Sequence, residues 1–286
     1  MTLRLRPLRD LRSGQAPRPI VTLLTDFGAG SGYPAQMKGV VLAALPDVQL
    51  VDVSHDVPAY DVLAGALLLE ACVPRFPPQA VHLGVVDPGV GTARRPLCVV
   101  DGVGRRLVGP DNGLFTPFLE GGRAFVLSDP RHVPAPASAT FHGRDLFAPV
   151  AAFLAGGGAP EALGPEVRDA LRLPWPGAVR EGDLVAGTCM AADRFGNVLT
   201  SIRAEDLAGA APVSAEVAGA AARWVRTFGE GAPGELVALL GSGGRVEIAV
   251  REGSAAARGI ARGAEVVVRL RREPPVDSPH RPATLG

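Results

Sequence analysis

The segment VVDPGVGTARR brings a carboxylate and a guanidinium close together in the chain. Asp87 enters a Pro-Gly turn at the end of an apolar run, and Arg94 follows seven residues later. A turn this rich in glycine can double back, so that Arg94 hydrogen-bonds Asp87 and keeps the carboxylate ionised. The alternative is plain turn chemistry, which is the more common role of a DPG sequence.

The segment FHGRDLF adds a histidine and a backbone donor. It places His142 and the N–H group of Gly143 immediately before a helix, where amide donors and the helix dipole favour a developing anion or a polarised water. A single histidine in such a place is usually structural, so the sequence leaves both interpretations open.

The segment TDFGAGSG predicts a ligand site at the end of the first strand. Asp26 falls at the carboxyl edge of a parallel strand, where open α/β sheets bind ligands, and a carboxylate there can accept both hydroxyls of a ribose. A helix cap or a turn is an equally good explanation. Tyr33 stands where the third glycine of a dinucleotide fingerprint would fall, and no GK[ST] phosphate loop occurs. We therefore expect no pyrophosphate cofactor, and no cofactor at all.

The second half of the chain offers two further loops. DRFGN contains Asp193, Phe195 and Asn197, a combination that suits an amino acid or a base, but it is also an ordinary hairpin turn. GSGGRVEIAV contributes Ser242 and open backbone amides, which can hold a carboxylate or simply connect two strands.

Four other polar residues have simpler explanations. Asp111 and Asn112 in VGPDNG fit turn propensity. His55 and Asp56 in VSHDVPAYD resemble metal ligands, but no second histidine follows at a suitable spacing, so we expect loop residues and no metal.

The elements that must position these residues change character along the chain. From Ile20, short β-rich runs alternate with helical stretches, which predicts an α/β domain with a largely parallel sheet over residues 18–172. From about Gly158 to Gly182 the composition turns to Pro, Gly and charge, which indicates a linker. Residues 183–272 contain strand-like segments with glycine turns and predict a small all-β, barrel-like domain.

Composition excludes several classes of partner. The 286 residues contain 29 basic and 29 acidic side chains, so no overall field attracts nucleic acid or an anionic membrane. No apolar run has the length of a membrane span, and the arginine-rich start lacks a signal-peptide core. The three cysteines are widely spaced, which favours a reducing cytoplasm. Residues 1–17 and 273–286 are expected to be flexible tails.

Seven motifs in one order carry a resemblance to a known family. They are TDFG, MKG, VVDPGVGT followed by Arg, GPDNG, FHGRD, DRFGN and a final EIAV strand. Together, from about Val21 to about Arg269, the chain resembles the S-adenosyl-L-methionine hydroxide adenosyltransferases, hydrolases that are related to fluorinating and chlorinating enzymes.

The resemblance implies a fold, an assembly and site residues. It implies an α/β domain followed by a β-barrel domain, and a homotrimer whose active sites lie between subunits. Asp87, Arg94 and His142 would organise the attacking water, with Gly143 beside it, and Asp26 would bind the ribose hydroxyls. The adenine and methionine ends would be bound at positions matching Tyr60, Asp193, Phe195, Asn197, Phe228, Ser242 and Glu252.

Two departures from the family pattern concern the methionine end. The loop AGSGY lacks the further acidic residue that relatives often have near Ser31, and Gly243 follows Ser242 where halogenating relatives have arginine. The way in which the methionine carboxylate is held is therefore left open.

The activity implied is hydrolysis of S-adenosyl-L-methionine to adenosine and L-methionine by attack of water at C5′. Two alternatives remain: a halogenase on the same scaffold, and a non-catalytic sensor of S-adenosyl-L-methionine or adenosine. The carboxylate of Asp87 disfavours an incoming halide, and a sensor needs no water-directing group.

Overall fold

The computed structural model describes residues 17–272. Residues 1–16 and 273–286, which include almost all of the predicted flexible tails, lie outside the described residues. The chain divides into two compact units, with the division between Leu173 and Pro174. The domain bounds 18–172 and 183–272 stay a prediction.

The first unit combines a mixed sheet with three α-helices. Its strands are β1 (Ile20–Thr25), β2 (Gln49–Ser54), β3 (Val81–Val85), β4 (Pro96–Val100), β5 (Arg106–Pro110), β6 (Arg123–Val126) and β7 (Glu166–Val167). Its helices are α1 (Tyr33–Ala44), α2 (Val62–Cys72) and α3 (Ala148–Ala155). A π-helical turn at Gly143–Phe147 runs directly into α3.

The order of strands in this sheet is β2-β1-β3-β5-β4-β6-β7. The first four run parallel, because α1 connects β1 to β2 and α2 connects β2 to β3, whereas β4, β6 and β7 pair antiparallel. The tight turn between β4 and β5 requires this change of direction. The predicted α/β class is confirmed, with parallel pairing in one half of the sheet.

Helices cover both faces of the central strands, which explains their continuous apolar runs. Val21 and Leu23 of β1 pack in one hydrophobic cluster with residues of α1 and α3. Leu24 faces the other way, and its methyl group lies close to Gly65 of α2. This packing fixes the position of the carboxyl end of β1.

The parallel strands β1, β3 and β5 lie side by side and end at one edge of the sheet. Thr25 is in register with Val85, and Leu83 with Val108. An aspartate follows each strand within two residues: Asp26, Asp87 and Asp111. The topology therefore places three carboxylates at neighbouring strand ends.

The second unit is a closed β-barrel, as predicted. Its strands are β8 (Val179–Glu181), β9 (Leu184–Ala192), β10 (Val198–Arg203), β11 (Ala210–Val217), β12 (Ala220–Trp224), β13 (Leu236–Leu240), β14 (Arg245–Val250) and β15 (Glu265–Arg272). Seven strands follow one another as β10-β14-β13-β12-β11-β15-β9, and the pairing of β9 with β10 closes the barrel. β8 pairs with β9 outside this circle.

The segment predicted as a linker is not free of secondary structure. Between residues 158 and 182 it forms a 3-10 turn at Pro160–Leu163, the edge strand β7 and the strand β8. Near the end of the second unit, the segment AAARGI contains a single 3-10 turn, Ala256–Arg258. Within residues 17–272, no helix is both long and apolar enough to cross a membrane.

Candidate active site

The loop after β3 folds back on itself, as its glycines predicted. The N–H of Val90 donates to the carbonyl of Asp87 at 3.3 Å, and the N–H of Thr92 donates to the carbonyl of Gly89 at 3.1 Å. Oγ1 of Thr92 then accepts the N–H of Arg94 at 3.3 Å. These bonds return the chain towards its starting point and bring Arg94 beside Asp87.

Arg94 binds the carboxylate of Asp87 through two of its nitrogens. Nε lies 3.1 Å and 3.0 Å from the two carboxylate oxygens, and Nη2 lies 2.5 Å from Oδ2. The two side chains are only 8% and 3% exposed, so the pair is shielded from bulk water. A forked guanidinium–carboxylate pair of this kind fixes geometry as well as charge.

The same guanidinium also reaches His142. Its Nη2 lies 2.8 Å from Nδ1 of the imidazole. Because a guanidinium can only donate, Nδ1 accepts this hydrogen bond, which requires a neutral imidazole with its proton on Nε2. The structure thus brings together all three residues that the sequence suggested for the reaction centre.

The surroundings of His142 favour this neutral form. Burial lowers the pKa of His142 below its ordinary value, and the positive charge of Arg94 lowers it further. The carboxylates of Asp87 and Asp145 act in the opposite direction with smaller effect. At neutral pH the imidazole can therefore accept from Arg94 and donate through Nε2.

His142 immediately precedes the π-helical turn. The first N–H groups of a helical segment lack partners within the helix, and the N–H of Gly143 donates no hydrogen bond to any residue in the described part of the chain. A π-turn is rare and is often found at functional sites. The turn packs tightly, because a Cβ on Gly143 would lie 3.2 Å from Sδ of Met37.

Two supporting contacts could not be predicted from the sequence. The ring of Phe147 lies under Arg94, with 5.2 Å between Cζ and the ring centre, and Phe147 is fully buried. Gly91 has a φ of +78°, and a Cβ there would lie 2.7 Å from the carbonyl oxygen of Ala139. The loop that carries Asp87 thus packs directly on the segment that leads to His142.

Asp26 and Tyr60 are also brought together. Oδ2 of Asp26 accepts the backbone N–H of Tyr60 at 2.8 Å. Tyr60 has a φ of 65°, an uncommon conformation for a bulky residue, and it is 71% exposed. Within residues 17–272, Oδ1 of Asp26 has no hydrogen-bond partner, so one carboxylate oxygen is available to a ligand.

An open cavity of about 380 Å³ adjoins the segments of Asp26 and His142. Its lining includes Phe27 and Phe141, the chain neighbours of those two residues. The complete lining is Phe27, Tyr33, Gln36, Ser138, Thr140, Phe141 and Arg144. The guanidinium of Arg144 is already paired with Asp145, at 2.6 Å from Nε to Oδ1, and adds little net charge to this cavity.

The third strand-end carboxylate has structural contacts. Asp111 is 3% exposed and binds Arg95 at 2.7 Å, and it also accepts the N–H of Leu171 at 2.7 Å. Nδ2 of Asn112 donates to the carbonyl of Val86 at 2.8 Å and so supports the residue before Asp87. Both residues serve as turn and anchoring groups.

His55 and Asp56 likewise hold the loop after β1. Nδ1 of His55 lies 2.9 Å from Oγ1 of Thr25, and Oδ1 of Asp56 accepts the N–H of Ala29 at 2.9 Å. Among residues 17–272, no three His, Cys, Asp or Glu side chains are grouped so that they could hold a metal ion.

In the second unit, Asp193 organises the hairpin between β9 and β10. Its carboxylate accepts the N–H groups of Phe195 and Asn197 at 2.8 Å and 2.9 Å, and also Nδ2 of Asn197 at 3.0 Å. The aromatic ring of Phe195 is 71% exposed at this loop. The loop presents an aromatic face and an amide on a rigid turn.

The other candidates of this unit fall at both ends of β14. Arg251, directly after β14, hydrogen-bonds the carbonyl of Gly229, which follows Phe228, and it precedes Glu252. Ser254 packs against Gly196 in the Asp193 loop. Ser242 instead lies in the turn between β13 and β14, at the opposite end of β14.

The fold and the site define an α/β-plus-barrel protein with a partly buried carboxylate–guanidinium–imidazole cluster at the carboxyl edge of its sheet. The sequence profile of the SAM hydroxide adenosyltransferase N-terminal domain matches residues 21–164, and that of the C-terminal domain matches residues 187–267. The chain therefore belongs to the SAM hydroxide adenosyltransferase family.

Known relatives agree with this membership. The chain is 44% identical to the (R)-S-adenosyl-L-methionine hydrolase of Salinispora tropica over 247 residues, 84% of this chain and 94% of the relative. It is 44% identical to the hydrolase of that name from Thermus thermophilus over 249 residues, 83% of this chain and 94% of the relative. A fluorinase from Actinopolyspora mzabensis is 31% identical over 66% of this chain and 73% of its own length.

A solved structure shows the same fold. An uncharacterized conserved protein from Thermotoga maritima superposes with a TM-score of 0.80 at 32% identity, covering 87% of this chain and 99% of that one.

Proposed function

We propose that this protein hydrolyses S-adenosyl-L-methionine to adenosine and L-methionine, with water attacking C5′. The observation that carries the proposal is the partly buried, hydrogen-bonded cluster of Asp87, Arg94 and His142 in a chain of this family. The hydrolases of Salinispora tropica and Thermus thermophilus, each 44% identical over most of this chain, support the same reaction.

The protein has to assist the attacking water rather than the leaving group. The sulfur of the substrate is a sulfonium, so it leaves as a neutral thioether and takes the electrons of the C5′–S bond without needing a proton. A new O–C5′ bond forms on the opposite side, which requires a water about 3 to 3.5 Å from the carbon and in line with sulfur. The water must also lose one proton.

We assign that proton to Asp87, and the hydrogen bonds of the cluster support this assignment. Arg94 is a donor only, and Nδ1 of His142 is already an acceptor for Arg94, which leaves Nε2–H as a further donor. The carboxylate of Asp87 is therefore the acceptor in the cluster. In this assignment one donor, Nε2–H of His142 or the N–H of Gly143, binds one lone pair of the water, and the other lone pair points to C5′.

The remaining candidates are proposed to hold the substrate. Oδ1 of Asp26 is available for the ribose hydroxyls, and Tyr60 lies beside it. The proposed contacts of the adenine and methionine ends are Asp193, Phe195, Asn197, Phe228, Ser242 and Glu252. The exposed ring of Phe195 and the rigid amide of Asn197 support their part in this assignment.

We also propose the assembly and location that the family resemblance implies, a homotrimer with active sites between subunits and a cytoplasmic protein. The three cysteines are free thiols, which fits a reducing compartment, and burial raises the pKa of Cys98 to about 12. Sedimentation equilibrium of the purified protein tests the trimer.

The test of the function is incubation of the purified protein with S-adenosyl-L-methionine, followed by chromatography of the products. Release of adenosine and methionine in equal amounts over many turnovers supports a hydrolase. Binding of one substrate per site without release would instead identify a sensor.

A further inference from the structure

A series of contacting polar side chains outside the reaction centre ends at Thr25, the residue before Asp26. Nζ of Lys38 lies 2.6 Å from Oδ2 of Asp52. Oδ1 of Asp52 lies 3.1 Å from Nε2 of His55, off the line of a good hydrogen bond. Nδ1 of His55 lies 2.9 Å from Oγ1 of Thr25. We call Lys38, Asp52, His55 and Thr25 the Thr25 anchor.

One neutral tautomer of His55 accommodates every contact of the anchor. The carboxylate of Asp52 can only accept, so the imidazole proton belongs on Nε2, facing Asp52. Nδ1 then accepts the hydroxyl proton of Thr25, whose oxygen remains free to accept the N–H of Phe27 at 3.2 Å. The donors thus point from the loop towards Asp52, whose carboxylate also accepts from Lys38 on its other side.

The anchor ends on both sides of Asp26. Thr25 precedes it, and Phe27, which donates to Thr25, follows it. The carbonyl of His55 accepts the N–H of Gly28 at 2.7 Å, which adds a second tie to the same loop. The backbone around Asp26 is therefore held by His55 through its side chain and its main chain.

The pairing of β1 with β2 contains a bulge just before His55, which helps to direct His55 towards Thr25. Leu23 pairs with Asp52, but Leu24 pairs with Ser54, so β2 contains one extra residue opposite β1. A bulge of this kind re-aims the side chains that follow it and is common beside functional sites. Here it precedes His55 directly.

Burying these polar side chains costs free energy, which argues against a purely structural role. Thr25 is fully buried and His55 is 6% exposed. Apolar side chains of similar volume would fill this space without the desolvation of polar groups. What polar contacts add is a single defined position for the loop.

We propose that His55, Asp52 and Lys38 are positioning residues for Asp26, holding its carboxylate where it binds a vicinal diol of the substrate. The inference rests on the proposed function, because it takes a ribose as the ligand of Asp26. None of the three residues contacts substrate in this account, and each acts through Thr25 and the loop.

The test compares the dissociation constants of adenosine and 2′,3′-dideoxyadenosine by calorimetry, because their ratio isolates the contribution of the diol. Hydrogen bonds to a charged acceptor give the wild type a preference for adenosine of about tenfold or more. The ratio should approach one in Asp26→Ala and fall at least about threefold in His55→Leu. It should fall less in His55→Asn, whose amide oxygen can still accept from Thr25 but which loses the contact with Asp52.

A second variant avoids the buried position. Lys38 is 30% exposed, so Lys38→Met should fold normally and lower the ratio, whereas Lys38→Arg should retain it. His132→Leu, at a histidine that stacks on Phe153 elsewhere in the unit, is the matched control and should leave the ratio unchanged.

The outcomes separate this inference from the proposed function. A wild-type ratio in Lys38→Met, and in His55→Leu if it folds, would overturn the positioning role while leaving hydrolysis intact. A wild-type protein that neither binds adenosine nor turns over S-adenosyl-L-methionine would overturn the proposed function itself.

Discussion

Nη2 of Arg94 lies 2.8 Å from Nδ1 of His142 and 2.5 Å from Oδ2 of Asp87. One nitrogen thus serves a carboxylate and an imidazole together. Because the guanidinium only donates, this arrangement fixes which groups can accept a proton and which can only donate one. The roles proposed for the three side chains follow from that constraint.

Replacing the proton acceptor should remove turnover but leave nucleoside binding. We expect Asp87→Asn to lower kcat by about 10² to 10⁴, the usual contribution of a positioned base, with the dissociation constant of adenosine within about threefold of wild type. Asp47→Asn, an exposed carboxylate in the same unit, is the matched control. Steady-state kinetics and calorimetry measure both, and an Asp87→Asn enzyme with full kcat would remove Asp87 from the mechanism.

Activity should decline in acid because His142 must stay neutral. Burial and Arg94 lower the pKa of His142, so the imidazole accepts from Arg94 at neutral pH. We expect kcat/KM to be level above about pH 6.5 and to fall as pH drops through the lowered pKa of the folded state. The measurement is kcat/KM between pH 4.5 and 8.

The lowered pKa of His142 also predicts how the stability of the protein depends on pH. In acid, His142 takes up a proton more readily in the unfolded chain than in the folded chain. Its contribution to the free energy of unfolding is therefore fully present above the unfolded pKa and is lost as pH falls through the lower, folded pKa. In His142→Gln the corresponding part of the pH dependence of unfolding should be absent. An unchanged acid profile in that variant would contradict the assignment.

The fold class could be predicted from the sequence because alternation of strands and helices is local information. The cluster of Asp87 and Arg94 could be anticipated for the same reason, since the glycine-rich turn lies between them. The contact of Phe147 with Arg94 joins residues 53 positions apart, and nothing in the local pattern marks a buried phenylalanine as a support for a guanidinium. The π-turn and the β4–β5 reversal also depend on tertiary packing.

The two loops of the reaction centre should respond together to one added methyl group. Gly91→Ala introduces a left-handed alanine at φ +78° and a Cβ 2.7 Å from the carbonyl oxygen of Ala139. We expect a loss of stability larger than the roughly 1 kcal/mol of backbone strain alone, together with a reduced kcat.

Gly104→Ala provides the comparison for this effect. Gly104 has a φ of +91° in the β4–β5 turn, and its Cβ would meet nothing within 4 Å. Thermal unfolding should show only the loss of stability that backbone strain causes, and kcat should equal that of wild type. Equal effects of the two substitutions on kcat would show that the contact between Gly91 and Ala139 has no part in placing His142.

Halide should not replace water as the nucleophile. The buried carboxylate of Asp87, 3% exposed, repels an incoming anion at the position where the nucleophile must stand. With chloride or fluoride in large excess, mass spectrometry of the products should detect adenosine and no 5′-halogenated nucleoside. Detection of the halogenated product in more than trace amount would support a halogenase instead.

The most direct test of water attack at carbon is turnover of S-adenosyl-L-methionine in ¹⁸O-labelled water. The account predicts that the adenosine carries one ¹⁸O atom in its 5′ hydroxyl group and that the methionine carries none. Adenosine without label, or label found in the methionine, would contradict attack of solvent at C5′.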